Sequence, residues 1–359
     1  MAYNEQGSLI GKQTQIFVTE TCNYNCDGCP YPKLSQERQQ DLHNQELNPV
    51  QWKTITDYLY TEGVRLFCLI GGEPCSYQGI PEVISNITNS YSDAFVLLST
   101  SGLHLRNDSD LKKHVVDGLT KPTNREFKNG ITVSFDDLPT SENPTNSREH
   151  KAREGILLLE DIRKEYGDQI TYGANVMISP ENIADILTMQ SYLQERKIYI
   201  NICTQQTKCF GQSPVFNQND FPKLEEIAKE LIARKHSGGL VANSTAYLSQ
   251  LPGVIGLEEY KCWEEKDGSP VIDIGPNGQT RFCNWIGQES KDGPPKIDIK
   301  QLMSGEVSWQ EFFRQSKEVT SQKCQGCSWS RRDRNIEPMV KINFSSFESQ
   351  NLWVKAQTY

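Results

Sequence analysis

Residues 49–74 read PVQWKTITDYLYTEGVRLFCLIGGEP, and this stretch contains one complete repeat of a helix, a strand and a glycine turn. Asn48 followed by Pro49 is typical of a helix N-cap with proline in the first turn, and Gly63 is typical of a helix end, so a helix is predicted over 49–62. The segment 64–70 (VRLFCLI) is almost entirely apolar, which is typical of a strand buried on both faces of a parallel sheet. Together these features predict an α/β fold.

The same succession of strand and helix recurs on both sides of this stretch. Further strands are predicted over 15–19, 94–99, 130–135, 170–178 and 198–203, and further helices over 81–91, 148–166 and 180–196. Such a rhythm favours parallel strands joined by right-handed crossovers. Six strands are fewer than the eight of a closed barrel, so we expect a partial (β/α)6 TIM-type barrel. Its functional residues should follow the carboxyl ends of the strands.

Beyond residue 215 the chain changes in character, with two more predicted helices (219–235 and 245–251) and then short strands, turns and four cysteines. The late segment is expected to be a small cysteine-rich α+β module that needs a metal or cluster for stability. The expected division is an N-terminal extension (1–14), the barrel core (15–215), a helical bridge (216–261), the cysteine-rich module (262–340) and a C-terminal tail (341–359).

Composition narrows the possible partners. The 359 residues contain 37 Lys and Arg against 46 Asp and Glu, which gives a net charge of −9. An acidic chain is a poor match for nucleic acid or for an anionic membrane. No apolar run approaches the roughly 18 residues that a membrane span needs, and the N-terminus lacks a secretory signal. We therefore expect a soluble cytoplasmic protein.

The eleven cysteines are the main candidates for metal binding or redox chemistry. In a reducing compartment, cysteines at short spacings more often bind metal or do redox chemistry than form disulfides. Cys22, Cys26 and Cys29 lie in one loop directly after the first strand. Three thiolates in a tight loop suit an iron–sulfur cluster with one iron left open for chemistry. A zinc knuckle that borrows a fourth ligand, or three unrelated buried cysteines, remain alternatives.

A second set consists of Cys262, Cys283, Cys324 and Cys327. Gly278 marks a turn between two predicted strands, so a hairpin would bring Cys283 back towards Cys262. Four thiolates satisfy either a structural zinc ion or a fully ligated [4Fe–4S] cluster, and the spacing does not distinguish them.

The ordered motifs resemble those of the radical S-adenosylmethionine (SAM) superfamily. Cys22-x3-Cys26-x2-Cys29 is that family's cluster motif, and Gly71-Gly72-Glu73-Pro74 matches its motif for the methionine amine of SAM. Thr100-Ser101-Gly102 stands where the family has Thr-Asn-Gly. Ser134-x-Asp136 stands where the family has Ser-x-Asp, while Asn175 and Asn182 flank the exit of the fifth strand. Gly28 departs from the aromatic residue that the family commonly has before the third cysteine.

The resemblance implies a [4Fe–4S] cluster on Cys22, Cys26 and Cys29, with SAM on its open iron. It implies reductive cleavage of SAM to a 5′-deoxyadenosyl radical that abstracts a substrate hydrogen. The implied SAM-binding residues are Gly71, Gly72, Glu73, Pro74, Ser101, Ser134, Asp136 and Asn175. The second cysteine set resembles the twitch module, a relative of the SPASM domain, and implies one auxiliary [4Fe–4S] cluster.

Several other cysteines and basic residues have both a functional and a structural interpretation. Cys75, Cys203 and Cys209 follow predicted strand ends and are candidate hydrogen donors to a substrate radical, although packed or merely exposed thiols are the simpler interpretation. Cys68 lies in an apolar strand and is expected in the core. Arg148, Lys151 and Arg153 begin the helix after Ser134-x-Asp136, where a cation could meet the SAM carboxylate or simply form a charged helix face.

The resemblance favours a ribosomally synthesised peptide as substrate, modified by backbone excision or splicing, epimerisation or crosslinking. The first strand begins near residue 15, so a separate leader-binding protein is expected to present the peptide, and flavodoxin or ferredoxin to donate electrons. A small-molecule substrate such as an aminoglycoside or sugar is the alternative within the superfamily. A non-enzymatic iron–sulfur electron carrier is the alternative of another class.

Overall fold

A computed structural model describes most of the chain between residues 13 and 323. The described residues are 13–22, 24, 26, 36–121, 128–141, 147–204, 216–245, 247–249, 251, 272–281 and 296–323.

Six parallel strands form the main part of one sheet. They are β1 (Gln13–Thr19), β2 (Leu66–Gly71), β3 (Phe95–Thr100), β4 (Gly130–Ser134), β5 (Thr171–Ile178) and β6 (Tyr199–Thr204). Each strand pairs with the next one along the chain, always in parallel. This confirms the predicted α/β class, and every predicted strand overlaps an observed one. All six carboxyl ends therefore lie along the same edge of the sheet.

Helices connect these strands. They are α1 (Gln36–His43), α2 (Pro49–Thr61), α3 (Ile80–Ser90), α4 (Leu103–Asn107), α5 (Ser109–Leu119), α6 (Ser147–Tyr166), α7 (Ile186–Glu195) and α8 (Phe221–His236). The predicted cap of α2 is present: the Asn48 side chain accepts from the Gln51 N–H, and the Gln51 side chain accepts from the Asn48 N–H. Within the described residues, none of the helices is both long and apolar enough to cross a membrane.

The core lies on both faces of the sheet. In β2 the consecutive residues Leu66, Phe67, Cys68 and Leu69 are exposed by 4, 0, 3 and 0%. Successive side chains of a strand point to opposite faces, so the sheet is packed on both faces at β2. Trp52 of α2 is fully buried against this layer. The prediction that Cys68 is a core thiol is confirmed.

Helix α7 begins later than predicted. Ser179-Pro180 was expected to open it, but a single 3₁₀ turn (Ile183–Asp185) comes first and the helix starts at Ile186. The Asn182 side chain accepts from the Ser179 N–H at 2.9 Å and donates to the Met177 carbonyl at 2.9 Å. These bonds hold the chain in a turn at the end of β5, which delays the helix.

Three short strands extend the sheet beyond β1. They are β7 (Ile272–Ile274), β8 (Gln279–Arg281) and β9 (Ile297–Asp298). The turn predicted at Gly278 is confirmed, since β7 and β8 are antiparallel and Gly278 has a φ of +82°, in the left-handed region that favours glycine. β7 pairs in parallel with β1, so this hairpin and the barrel core share one sheet. The boundaries of the domains stay a prediction.

Two more helices follow, α9 (Ile299–Met303) and α10 (Trp309–Lys323). The Trp309 indole N–H donates to the Tyr58 hydroxyl at 2.8 Å, and that hydroxyl donates to the Leu302 carbonyl at 3.3 Å. This contact holds α10 against α2. Helix α10 is described as far as Lys323, and Cys324 lies outside the described residues.

Candidate functional site

The residues predicted from the sequence motifs meet at the carboxyl edge of the sheet. Cys22 and Cys26 follow β1, Glu73 follows β2, Ser101 follows β3 and Asp136 follows β4. The parallel topology alone requires this, because every strand ends at the same edge.

Gly71 and Gly72 let two backbones approach closely. A Cβ atom on Gly71 would lie 2.4 Å from the Thr19 carbonyl oxygen, and one on Gly72 would lie 2.3 Å from the Thr21 carbonyl oxygen. The Gly72 N–H donates to the Thr19 carbonyl at 3.0 Å and the Glu73 N–H to the Thr21 carbonyl at 2.9 Å. The glycine pair therefore fixes the chain that leads into Cys22.

Glu73 joins the end of β2 to the end of β3. Its side chain is buried, with the residue 1% exposed. One carboxylate oxygen accepts from the Cys75 N–H at 3.1 Å and the Thr100 hydroxyl at 2.5 Å. The other accepts from the Ser101 N–H at 2.7 Å and the Ser101 hydroxyl at 2.5 Å. A carboxylate has about four lone-pair sites, so the protein itself uses all of them.

Donors point at both described sulfur atoms of the first cysteine set. The Tyr24 N–H lies 3.5 Å from the Cys22 sulfur. The Lys151 ammonium group lies 3.7 Å from the Cys26 sulfur. The Tyr24 hydroxyl lies near Ser101 and Glu73, and burial raises its pKa to about 12. Thiolates accept such hydrogen bonds, so this donor set suits sulfur in its anionic form.

Lys151 is a buried cation between two acceptors. It is 7% exposed, and its ammonium lies 3.2 Å from a carboxylate oxygen of Asp136. Burial lowers the pKa of Lys151, but the charges of Asp136 and Cys26 outweigh burial, and the net direction is upward. The second oxygen of Asp136 accepts from the Met177 N–H at 2.9 Å. Asp136 thus orients Lys151 and fastens β4 to β5.

An amide row crosses the inside of the barrel. The Asn175 side-chain amide donates to the Ser99 hydroxyl at 3.0 Å and to the Thr132 hydroxyl at 3.1 Å, while its oxygen accepts from Asn201 at 2.9 Å. Asn201 in turn accepts from Asn243 at 3.0 Å. Asn175 was predicted from the sequence, whereas Asn201 and Asn243 were missed, because single asparagines without a spacing pattern carry no signal.

Comparison with known proteins finds similarity in sequence and in fold. No protein-family model matches the chain. It is 27% identical over 227 residues to GTP 3′,8-cyclase of Helicobacter pylori strain HPAG1, covering 62% of this chain and 63% of that protein. The chain thus spans less than two thirds of this curated relative.

Solved structures share the fold. Streptococcus suis SuiB superposes with a TM-score of 0.58 and 12% identity, over 84% of this chain and 67% of that one. Native anSMEcpe with bound AdoMet superposes with a TM-score of 0.57 and 14% identity, over 97% of this chain and 100% of that one. These relatives are radical SAM enzymes.

The chain resembles the radical SAM superfamily in its ordered motifs, and it is similar in sequence and in fold to radical SAM enzymes. The first cysteine loop, after β1, is where this superfamily carries its [4Fe–4S] cluster. The residues present fit such a group, because the sulfur atoms of Cys22 and Cys26 both face N–H donors. Cys29 lies outside the described residues, as do the four cysteines of the second set and Cys209. Within the described part of the chain, no three His, Cys, Asp or Glu side chains are grouped as metal ligands.

The remaining motif residues of the superfamily lie at the expected strand ends. Ser134 ends β4, opposite Asn175 in the register of β4 with β5. Pro74 begins a 3₁₀ turn (Pro74–Ser76) that Glu73 caps. The contact of the Glu73 side chain with the SAM amine stays a prediction, since four protein donors already surround this carboxylate.

The two described candidate hydrogen donors differ in position. Cys75 is 3% exposed within the core, and burial followed by the charge of Glu73 raises its pKa well above the usual range. Cys203 is half-buried near the end of β6, 3.5 Å from the Asn201 amide nitrogen, and burial followed by the charge of Asp136 raises its pKa to about 12. Both groups therefore stay protonated near neutral pH.

Proposed function

We propose that this protein is a radical SAM enzyme that abstracts a hydrogen atom from its substrate. The observation that carries the proposal is the cysteine loop after β1, where N–H donors lie beside Cys22 and Cys26 and the Glu73 contacts tie the next two strand ends together. When bound on Cys22, Cys26 and Cys29, the cluster would supply one electron that cleaves SAM into methionine and a 5′-deoxyadenosyl radical, which takes the substrate hydrogen.

The chain's own residues would position SAM. Gly71, Gly72, Glu73 and Pro74 would face the methionine amine through backbone carbonyls and nearby polar groups. Ser101, Ser134, Asp136 and Asn175 would line the rest of the SAM site. Support comes from the common edge on which these residues lie, and from bound AdoMet and S-adenosylmethionine in structures of the same fold.

We further propose one auxiliary [4Fe–4S] cluster on Cys262, Cys283, Cys324 and Cys327. The β7–β8 hairpin supports it, because β8 includes Arg281, two residues before Cys283, and α10 includes Lys323, directly before Cys324. The Arg281 guanidinium pairs with the Glu20 carboxylate at 3.4 Å, which joins this hairpin to the segment before Cys22. Such a cluster, fully ligated by cysteine, would serve electron transfer or substrate-pocket structure.

The proposed substrate is a ribosomally synthesised peptide. SuiB is known bound to precursor peptide SuiA (TM-score 0.57) and anSMEcpe to the Cp18Cys peptide (TM-score 0.54). Because the chain carries a net charge of −9, a basic peptide or leader would be attracted to it. A separate leader-binding protein would present the peptide, and flavodoxin or ferredoxin would donate the electron in the cytoplasm.

A small-molecule substrate is the second candidate. The curated relative at 27% identity is a GTP 3′,8-cyclase, which its name describes as acting on a nucleotide. This similarity in sequence exceeds the 12–14% identity to the peptide-bound structures.

One assay tests the enzyme and separates these substrates. The reconstituted holoprotein, reduced anaerobically with dithionite, should form 5′-deoxyadenosine from SAM, and the Cys26→Ala variant should form none. Mixtures of short basic precursor peptides, GTP and aminoglycosides are then compared for the increase in 5′-deoxyadenosine and for a new product by mass spectrometry. A loaded protein that never cleaves SAM would instead be an iron–sulfur electron carrier, and the proposal would be wrong.

A further inference from the structure

Lys151 makes an unusual contact for a lysine, because its ammonium group is buried and faces a cysteine sulfur. The residue is 7% exposed, and its nitrogen lies 3.7 Å from Cys26 Sγ. Lysines are almost never fully buried unless they are paired. Its paired carboxylate is Asp136, at 3.2 Å. The three groups thus form a row: carboxylate, ammonium, sulfur.

The surrounding structure holds this row in place. Lys151 projects from the first turns of α6, which follows β4. Asp136 is fixed from the other side, since its second oxygen accepts from the Met177 N–H at 2.9 Å and its backbone carbonyl accepts from the Asn182 amide at 3.1 Å. A fixed carboxylate orients the ammonium towards Cys26 rather than letting it swing into solvent.

A cation beside a cluster ligand changes the energy of an added electron. A reduced cluster carries one more negative charge than the oxidised one, so a nearby ammonium stabilises the reduced form more. Hydrogen bonds to cluster sulfurs and local charge are established determinants of iron–sulfur reduction potentials. The effect is larger where water is excluded, because the local dielectric constant is lower.

We propose that Lys151 is a positioning residue that raises the reduction potential of the cluster bound at Cys26, and that Asp136 limits this rise. The inference rests on the proposed function, since it requires the cluster. It differs from a contact between Lys151 and the SAM carboxylate, because it predicts an effect that is present without SAM.

The test is an anaerobic redox titration of the reconstituted full-length protein, followed by EPR in the absence of SAM, with dithionite as the electron source. The signal of the auxiliary cluster is identified as the one that persists in a Cys22→Ala/Cys26→Ala/Cys29→Ala variant. Lys151→Met removes the charge at similar length, and Lys151→Arg keeps it. Lys164→Met is the matched control, since Lys164 is on the same helix with its side chain 77% exposed.

In Lys151→Met the equilibrium constant for one-electron reduction should fall about tenfold, which corresponds to about 59 mV to lower potential. Lys151→Arg should restore most of the shift, and Lys164→Met should leave the potential unchanged. Asp136→Asn should move the potential in the opposite direction, because the ammonium then loses its neutralising partner.

The outcomes separate the two proposals. If the cluster in Lys151→Met has the same reduction potential as in the wild type, the inference is wrong. This holds even if the variant binds SAM more weakly than the wild type does. If Lys151→Met fails to hold iron, the reduction potential of Asp136→Asn tests the inference instead. A potential higher than that of the wild type supports the inference, and an unchanged or lower potential overturns it. A wild-type protein that binds no iron–sulfur cluster at Cys22, Cys26 and Cys29 overturns the proposed function itself.

Discussion

The Glu73 side chain joins the ends of β2 and β3, so its substitution gives a clear stability prediction. In Glu73→Gln the amide NH₂ group must face either the Cys75 N–H or the Ser101 N–H, whichever way the amide is oriented. A buried N–H then loses its acceptor, and we expect a loss of about 2 kcal/mol in the free energy of unfolding. Urea unfolding of the reconstituted protein measures it.

Glu195→Gln is the control for Glu73→Gln, because the Glu195 side chain is 78% exposed. It should change the free energy of unfolding by less than about 0.5 kcal/mol. Equal losses in the free energy of unfolding would show that the four hydrogen bonds to Glu73 stabilise the fold no more than an exposed carboxylate does.

Gly72 sets the distance between the end of β2 and the cysteine loop. A Cβ in Gly72→Ala would lie 2.3 Å from the Thr21 carbonyl oxygen and 2.9 Å from Cys22 Cβ, so the loop must shift. We expect most of the iron bound at the first cysteine set to be lost, measured by iron content and EPR. Gly275→Ala should retain it, because the nearest atoms to that Cβ lie 3.4 Å away. Full iron content in Gly72→Ala would refute this role.

Cys203 is the described thiol best placed to donate a hydrogen atom. It is half-buried at the carboxyl end of β6, and its raised pKa keeps the S–H intact at neutral pH, whereas Cys75 lies in the core. If the reaction is an epimerisation, Cys203→Ala should lower product formation at least tenfold and abolish deuterium uptake from D₂O. Cys68→Ala is the control thiol. Unchanged deuterium incorporation in Cys203→Ala would exclude the role.

At the scale of elements, an ion pair between Arg281 of β8 and Glu20 joins the β7–β8 hairpin to the chain after β1. Arg281 and Glu20 are both largely buried, with side chains 14 and 15% exposed. In Arg281→Met the unpaired Glu20 should loosen the hairpin, so amide hydrogen exchange should speed up several-fold in 272–281. The double variant Glu20→Arg/Arg281→Glu should restore part of the protection. Identical exchange in all three proteins would show that strand pairing alone holds the hairpin.

Elements with a clear local sequence pattern were predicted, whereas elements with an ambiguous or non-local pattern were missed. Strands such as β2 are strong local signals, because a buried parallel strand must be apolar throughout. Helix α5 escaped notice, since Asn107-Asp108-Ser109 resembles a loop, although Asp108 in fact caps the helix by accepting from the Leu111 N–H at 2.9 Å. The parallel pairing of β7 with β1 has no local signal either, because it depends on residues more than 250 positions apart.

The same distinction between predicted and missed features applies to the residues of the candidate site. Glu73, Asp136 and Asn175 were predicted because a resemblance of ordered motifs pointed to them. Lys151 was one of three cations that could meet the SAM carboxylate or form a charged helix face, and its burial beside Cys26 became visible only in three dimensions. A short motif fixes which residues are present, but partners contributed by distant strands decide what each side chain touches.

At the scale of the whole molecule, one sheet runs from β6 to β9 and places the β7–β8 hairpin beside β1, the strand that leads into the first cysteine loop. If each set holds a [4Fe–4S] cluster, the reconstituted chain should contain about eight irons, and a Cys22→Ala/Cys26→Ala/Cys29→Ala variant about four. A Cys324→Ala/Cys327→Ala variant should also contain about four, with SAM-dependent changes in its EPR signal retained. The wild type could instead contain about four irons and the first variant none, with zinc in the second set. That result would support the radical SAM proposal and rule out the auxiliary cluster.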